Sequence, residues 1–306
     1  MVIKSQNPAL FILAYFAAIM LILFSVTAGL LLIYAVLIGY YELWWAEIPV
    51  VFPKDLPPVT GELKISVIIP ARNEEQNIRK CLSSLQKQTY PPALLEIIVV
   101  NDHSTDNTAL VVENFGGGNI RLLHLSDYIN DPINSYKKKA IEIAIGVSSG
   151  ELIITTDADC TAGEDWIASL ARFYQQQDAV FIAAGVKIST NGSLLSLFQS
   201  LDFLTLQGIT GASVHKQFHS MCNGANMAYA KSVFYEVGGF QGIDRIASGD
   251  DMLLMHKIFL KHPERVFFLK AVEATVTTQP EKTWQAFINQ RIRWASKADK
   301  YDDKRI

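Results

Sequence analysis

Asp157, Ala158 and Asp159 close the segment ELIITTDAD at 151–159, an apolar run that ends in two carboxylates. Side chains two apart on a strand leave the same face, so both acids can meet one hard cation and a phosphate ligand. Two such carboxylates repel each other, and bound Mg²⁺ or Mn²⁺ removes that cost. A pair of solvated loop acids is the plain alternative, and the position after a buried-strand pattern argues against it. Asp102 also ends an apolar run, EIIVVND at 96–102. There it either hydrogen-bonds a ribose or base, or caps the next helix as Ser104 or Asp106 equally can. Lys137, Lys138 and Lys139 read as the solvated basic start of a helix, with one ammonium near the strand ends able to meet a diphosphate. In Ser248-Gly249-Asp250-Asp251 the acids suit a helix start, and one of them beside a metal-diphosphate can act as general base towards a hydroxyl. Gln290, Arg293 and Trp294, spaced i, i+3 and i+4, bring an amide, a guanidinium and an indole together, which suits a phosphate and a sugar ring.

These groups need elements to hold them. Ile65–Ile69 has the pattern of a buried strand, followed by a helix capped by Asn73 with Glu74 and Glu75 in its first turn and Ile78, Cys81, Leu82 and Leu85 as its core face. The strand at 96–102, a short helix after Asp106, NIRLLHL, a helix over 137–147 and the strand ending at 159 continue the alternation. The fold class is therefore α/β, a mostly parallel central sheet with helices on both faces. Ligands of such sheets collect at the carboxyl ends of the strands, where Arg72, Asp102, Asp157 and Asp159 fall. Further on, Leu194, Leu197, Phe198, Leu201 and Leu204 predict a helix over 193–209 that packs into the core. The helix over 283–297 is expected to lay Trp284, Phe287, Ile288 and Ile292 against the domain core or a bilayer surface.

From Ser5 to Tyr41 there is no Asp, Glu, Lys or Arg. That exceeds the roughly 20 residues a spanning helix needs and the apolar core of a cleaved signal peptide. Residues 1–48 thus read as a membrane anchor, capped at Asn7 and Pro8 and belted by Tyr40, Tyr41, Trp44 and Trp45. Residues 49–64, with Pro49, Pro53, Pro57, Pro58 and Gly61, read as a stiff linker, and 65–306 as the globular domain. The 27 basic and 30 acidic side chains leave a formal net charge of -3, which supplies no field to gather nucleic acid. Three dispersed cysteines give no disulfide framework, and the six histidines show no zinc-site spacing. No GxGxxG opens a helix, which excludes a dinucleotide-binding dehydrogenase.

Taken in order, VIIPARNE at 67–74, VVNDHSTD at 99–106, Lys139-Ala140, TDAD at 156–159, NGANMAY at 223–229, GDD at 249–251 and QRIRW at 290–294 resemble family 2 glycosyltransferases. The resemblance covers 65–294. It implies a GT-A fold, a nucleotide-sugar donor with UDP-sugar foremost, Mg²⁺ or Mn²⁺, and inversion at the anomeric carbon. By motif it implies that Pro70, Arg72, Glu74, Asp102, Lys139 and Asp157 bind the donor, that Asp157 and Asp159 hold the metal, and that Asp251 is the base. Asp250, Gln290, Arg293 and Trp294 would then lie by the diphosphate and acceptor. The last motif is characteristic of membrane-embedded polysaccharide synthases and lipid glucosyltransferases, so the acceptor is expected to be a lipid or a glycan. Three departures stand out. Asn101 and His103 replace a frequent Asp and Gly, Asp250 replaces a frequent Glu, and the sequence ends at Ile306 where such enzymes continue into further membrane spans.

The charge bias around the anchor, Lys4 before it and Glu42, Glu47, Lys54 and Asp55 after it, favours an inside N-terminus. Sugar nucleotides are cytosolic, which favours a catalytic domain facing the cytoplasm from the cell membrane, and this chemistry is given precedence. Two rivals remain. A sugar nucleotidyltransferase requires a Gly-rich basic phosphate loop after the first strand, where this sequence has the acidic PARNEE, and a non-catalytic membrane scaffold has no need of these acids.

Overall fold

The computed structural model describes residues 8–129, 133–218, 222–244 and 249–295. The cap at Asn7, Ser248 and the end of the helix expected to reach 297 lie outside them. In chain order the elements are α1 (Pro8–Glu47), β1 (Ile65–Ala71), α2 (Ile78–Leu85), β2 (Leu95–Asn101), α3 (Thr108–Glu113) and β3 (Ile120–His124). Next come α4 (Tyr136–Val147), β4 (Leu152–Thr155), β5 (Thr161–Ala162), α5 (Trp166–Gln176), β6 (Phe181–Ala184) and β7 (Val186–Ile188). The chain continues through α6 (Leu194–His215), β8 (Met227–Ala230), α7 (Lys231–Glu236), α8 (Met252–Lys261), β9 (Val266–Leu269), β10 (Val276–Thr278) and α9 (Trp284–Ala295).

The main sheet runs β3-β2-β1-β4-β8-β6-β9, with β8 antiparallel to both neighbours and the other pairs parallel. Successive strand residues feed opposite faces, as a period of two requires. Val67, Ile69, Ile97, Val99 and Ile154 join α2 and α5 in one core, while Ile68, Ile98, Val100 and Ile153 join α4 and α8 in the other. A small sheet, β5-β10-β7, sits beside it.

Pro70 explains where the sheet opens. Pairing of β1 with β4 stops at Ile68 and Thr155, whereas pairing with β2 continues through Pro70 and Val100 to Ala71 and Asn101. A proline cannot donate to a ladder, so it stands where β4 has already turned away. The crevice lies at the carboxyl ends of β1 and β4, where the strand order reverses.

Several expectations change. Asn73 does not cap α2: it is left-handed, φ 57°, because Ser104, Thr108 and Asp106 take the backbone N–H groups of Asn73, Glu74 and Glu75 at 3.0, 2.7 and 3.2 Å. Those bonds postpone the helix to Ile78. The expected core face of α6 is instead exposed, Leu194 by 78%, Leu201 by 67% and Leu204 by 62%, because α6 turns Gln199, Phe203 and Gln207 inward. The proline-rich segment is strapped to the domain rather than spacing it, through Arg172 Nη1 to the Pro53 carbonyl at 2.8 Å and Gln175 Nε2 to the Thr60 carbonyl at 2.9 Å.

Helix α1 is continuous over 40 residues, about 60 Å, twice the roughly 30 Å of a bilayer's hydrocarbon. Tyr15–Glu47 is long and apolar enough to cross a membrane. Its last turns dock on the domain. Lys270 Nζ lies 4.4 Å from the centre of the Trp45 ring and donates to the Trp45 carbonyl at 2.9 Å, and Phe268 meets the ring edge-on at 5.7 Å. Trp45 therefore serves the domain as much as an aromatic belt. Trp45→Ala should lower stability by about 2 kcal/mol, a half-buried version of the usual loss for a truncated indole. Tyr34→Ala, at a 61% exposed position of the same helix, should leave the thermal midpoint in detergent unchanged.

Candidate functional site

Past the strand ends the loops bring carboxylates from four places. Asp102 follows β2, with its backbone N–H on the Ala71 carbonyl at 2.8 Å and its side chain buried. The next residue, His103, holds φ 52° where the resembling enzymes often have glycine. A side chain there costs about 1–2 kcal/mol, offset by its Nδ1 contact with Asp102 Oδ1 at 3.0 Å and its ring contact with Tyr136 at 5.2 Å. Asn101, the other departure, receives the backbone N–H of Ser104 on its Oδ1 and contacts His124 Nδ1 through Nδ2. It closes the turn that presents Asp102.

Asp157 and Asp159 lie in the turn after β4 rather than on the strand, closed by Cys160 N–H to the Asp157 carbonyl at 3.1 Å. The alternation survives, since Ala158 is buried between two part-exposed acids. Asp159 Oδ2 accepts from Thr278 Oγ1 at 2.7 Å, which ties the pair to β10. The third source is the start of α8. Asp251 caps that helix, accepting from Met252 N–H through Oδ1 at 2.7 Å and from Gly224 N–H through Oδ2 at 3.2 Å. Asp250 is buried, 5% exposed. Lys137 joins the groups: its Nζ donates to Asp157 Oδ1 at 2.8 Å and stands 3.3 Å from Asp250 Oδ2. Gly224 makes the approach possible, because a Cβ there would lie 3.1 Å from Asp250 Oδ2 and 3.5 Å from Lys137 Nζ.

The electrostatics follow from the crowding. Burial, and then Asp157, push the Asp159 carboxyl above its ordinary pKa despite the Thr278 bond. Burial raises Glu74, the fourth source of carboxylate, from the turn after β1; its bond from Asn77 opposes the rise while Asp159, Asp157 and Asp106 add to it. Burial pulls Lys137 down, but Asp157 and Asp250, followed by Asp251, hold it well above its ordinary value. Among the described residues no three His, Cys, Asp or Glu side chains converge as a metal cage. Mg²⁺ and Mn²⁺ do not require one, since one or two carboxylates and the phosphates of a substrate commonly hold such an ion. The strained carboxylates of Asp157 and Asp159 fit that mode.

Among the other expected residues, Pro70 stands at the crevice and Arg72 is exposed at its rim. Lys139 turns away to Glu142 at 2.7 Å, and Lys137 is the lysine that meets the acids. The α9 set is arranged differently from the expectation. Gln290 Nε2 donates to Glu281 Oε1 at 3.1 Å, Trp294 packs against Phe203 at 5.9 Å, and Arg293 is exposed. Of the expected apolar face only Phe287 is buried, while Trp284, Ile288 and Ile292 are 47%, 46% and 61% exposed. The reason is Arg291, which pairs with Asp202 and stacks 4.3 Å from the centre of the Trp294 ring, drawing that side of the helix onto α6. Sequence reasoning singled out none of Thr278, Gly224 and Arg291. The NGANMAY stretch was the one available signal for Gly224. The backbone N–H groups after β1 are already taken by side chains, so this turn is no phosphate cradle of the nucleotidyltransferase kind.

Residues 66–238 match the family model described as Glycosyl transferase family 2, and the chain belongs to that family. It is 30% identical over 248 residues to the probable glycosyltransferase YdaM of Bacillus subtilis (strain 168), covering 79% of this chain and 55% of that protein. An N-acetylglucosaminyltransferase of Mesorhizobium japonicum is 28% identical over 280 residues, 86% of this chain and 63% of that protein. The chain thus spans little more than half to two thirds of these curated relatives. Among solved structures, the mannosyltransferase PcManGT from Pyrobaculum calidifontis, in complex with GDP-Man and Mn²⁺, aligns with a TM-score of 0.65 at 20% identity over 86% of this chain and 72% of its own. S. aureus TarS 1-349 in complex with UDP-GlcNAc aligns with a TM-score of 0.52 at 20% identity, over 72% and 60%. The fold is therefore GT-A.

A raised carboxyl pKa sets the sign of a pH effect. The folded protein binds the Asp159 proton more tightly than the unfolded chain does, so ionising it costs stability, and that cost grows as pH rises above about 4. In EDTA, Asp159→Asn should raise the thermal midpoint near neutral pH, with the gain shrinking towards pH ~4. A variant equally destabilised at both pH values would contradict this assignment.

Proposed function

We propose that the chain is the catalytic part of a membrane-anchored inverting glycosyltransferase, moving a sugar from a nucleotide-diphosphate donor, a UDP-sugar foremost, to a hydroxyl of a lipid-linked or polysaccharide acceptor. The observation that carries this reading is the convergence around Gly224: Asp250, Asp251 and Lys137 meet there, and Lys137 reaches Asp157. Strand-end acids and helix-start acids thereby share one crevice in a chain of the glycosyltransferase family. The UDP-GlcNAc and GDP-Man of the two aligned structures support a nucleotide sugar as the ligand class.

In this reading Asp102, buried at the end of β2, takes the nucleoside, with Pro70, Arg72 and Glu74 forming the wall of its cleft. Asp157 and Asp159 hold Mg²⁺ or Mn²⁺ and the diphosphate side of the donor. That ion, when bound, supplies charge for the departing diphosphate. Asp251 takes the acceptor proton as its oxygen attacks C1 from the face opposite the leaving group. Two backbone N–H groups fix its carboxylate at the mouth of α8, so it is oriented before the acceptor arrives. Asp250, paired with Lys137, supports rather than performs that transfer. Of the remaining expected residues this reading gives only Arg293, exposed on α9, to the diphosphate and acceptor, since Lys139, Gln290 and Trp294 are engaged with Glu142, Glu281 and Phe203.

Membrane attachment rests on α1 and on an apolar surface continuous with it. Trp44 meets Phe218 at 5.8 Å beyond the end of α6, and Phe198 on the same helix meets Trp284 of α9 at 5.6 Å. The exposed Leu194, Leu201, Leu204, Ile288 and Ile292 extend that surface. An aliphatic and aromatic strip of this kind fits the headgroup boundary of a bilayer. The domain then faces the cytoplasm, where sugar nucleotides are supplied.

Incubating membranes that contain the protein with a panel of nucleotide sugars, and measuring the released nucleoside diphosphate, tests the reading. Asp159→Ala should abolish release. Asp251→Asn should bind donor normally and turn over about 10² to 10⁴ times more slowly, the usual worth of a general base, with Asp250→Asn milder. Equal loss of donor binding and turnover in Asp251→Asn would make it a helix cap only.

A further inference from the structure

We propose that the Lys137 ammonium is the site's resident cation, held between Asp157 and Asp250 until a divalent cation takes Asp157, after which it rests on Asp250 alone. The inference deepens the glycosyltransferase reading and rests on its assignment of Asp157 to the metal.

The three adjacent lysines have separate fates. Lys138 is buried with its Nζ on the Ile243 carbonyl at 2.6 Å, and Lys139 pairs with Glu142 on its own helix. Lys137 alone of the three reaches Asp157 and Asp250. Its place is electrostatically awkward, because it stands in the first turn of α4, where the helix dipole presents positive charge. The carboxylates of Asp157 and Asp250, at 2.8 and 3.3 Å from the ammonium, oppose that dipole.

The two ends of the bridge are unequal. Asp157 Oδ1 accepts a short hydrogen bond at 2.8 Å, whereas Asp250 Oδ2 lies at 3.3 Å, is buried, and has no aligned hydrogen-bond donor among the described residues. Asp250 thus holds unused capacity to take the ammonium. Gly224 leaves the room for it, since a Cβ there would crowd Asp250 Oδ2 at 3.1 Å and touch Lys137 Nζ at 3.5 Å. A divalent cation on Asp157 would stand within a few ångströms of the ammonium, and like charges at such a distance repel strongly in a half-buried crevice. Both cannot keep Asp157. Lys137 therefore limits metal binding before the donor arrives, keeps the repelling acids in position, and passes donor arrival to the neighbour of Asp251. It is a positioning residue, acting through Asp157 and Asp250.

The test measures Mn²⁺ alone, by the electron paramagnetic resonance of the free ion, on the full chain in detergent. Lys137→Met should bind Mn²⁺ about tenfold more tightly than wild type, because the competitor for Asp157 has gone. Lys137→Arg should restore wild-type affinity. Damage to the fold would weaken binding rather than tighten it, so the sign separates the proposal from a merely structural role. Adding UDP should shrink the difference, since the diphosphate brings its own charge to the ion. If Lys137→Met binds Mn²⁺ alone no more tightly than wild type, while wild type binds Mn²⁺ with UDP and Asp157→Asn does not, the resident-cation proposal is overturned and the metal assignment stands. If wild type fails to bind Mn²⁺ even with UDP, both fall together.

Discussion

Mutual repulsion among acids is the constraint on which the site depends. Glu74, Asp157 and Asp159 press on one another in a half-buried crevice, and Asp250 and Asp251 stand across it. Isolated, such a cluster would either take up protons or push its loops apart. Each acid has a dedicated counterweight: Asn77 for Glu74, Lys137 for Asp157 and Asp250, Thr278 for Asp159, and the N–H groups of Gly224 and Met252 for Asp251. Those partners come from the turn before α2, from α4, β10, the loop before β8 and α8. The sheet and its helices thus converge on neutralising one patch of charge, and in the proposed reading the charge left over is what a cation with its phosphates would meet.

The same dependence links the crevice to the apolar strip of α6 and α9. Thr278 ends β10, and the chain then reaches Glu281, whose backbone N–H and carbonyl are both taken by the buried Gln199 side chain of α6 at 2.9 and 3.0 Å. From there α9 begins, and Arg291 fastens it back to Asp202 of α6. The apolar strip of α6 and α9 is therefore joined to the Asp159 carboxylate through Thr278 and the hydrogen-bonded Glu281.

Much of this was legible in the sequence where one local rule decides the outcome. The strand patterns at 65–69 and 96–102 and the acids at the strand ends fall where the alternation put them, because a buried parallel strand leaves little choice of register. What failed depended on a partner distant in sequence. Asn73 reads as a cap until Thr105 N–H claims its side chain at 2.8 Å from across the crevice. Leu194, Leu201 and Leu204 read as core because periodicity marks an apolar face without saying what it faces. Lys137 and Lys139 are indistinguishable by composition, and the rotation of α4 alone aims one of them at Asp157.

The central claim is that Asp251 activates an acceptor hydroxyl for direct, in-line displacement of the nucleoside diphosphate. Proton NMR of the glycoside formed from an α-linked UDP-sugar, recorded at early times before any anomerisation, reads the outcome at the new anomeric centre. A β-configured product, with the large H1–H2 coupling of a trans-diaxial pair in a gluco-configured sugar, is the expected result. An α-configured product would mean that the sugar is displaced twice or released before it is captured, and would contradict the role given to Asp251.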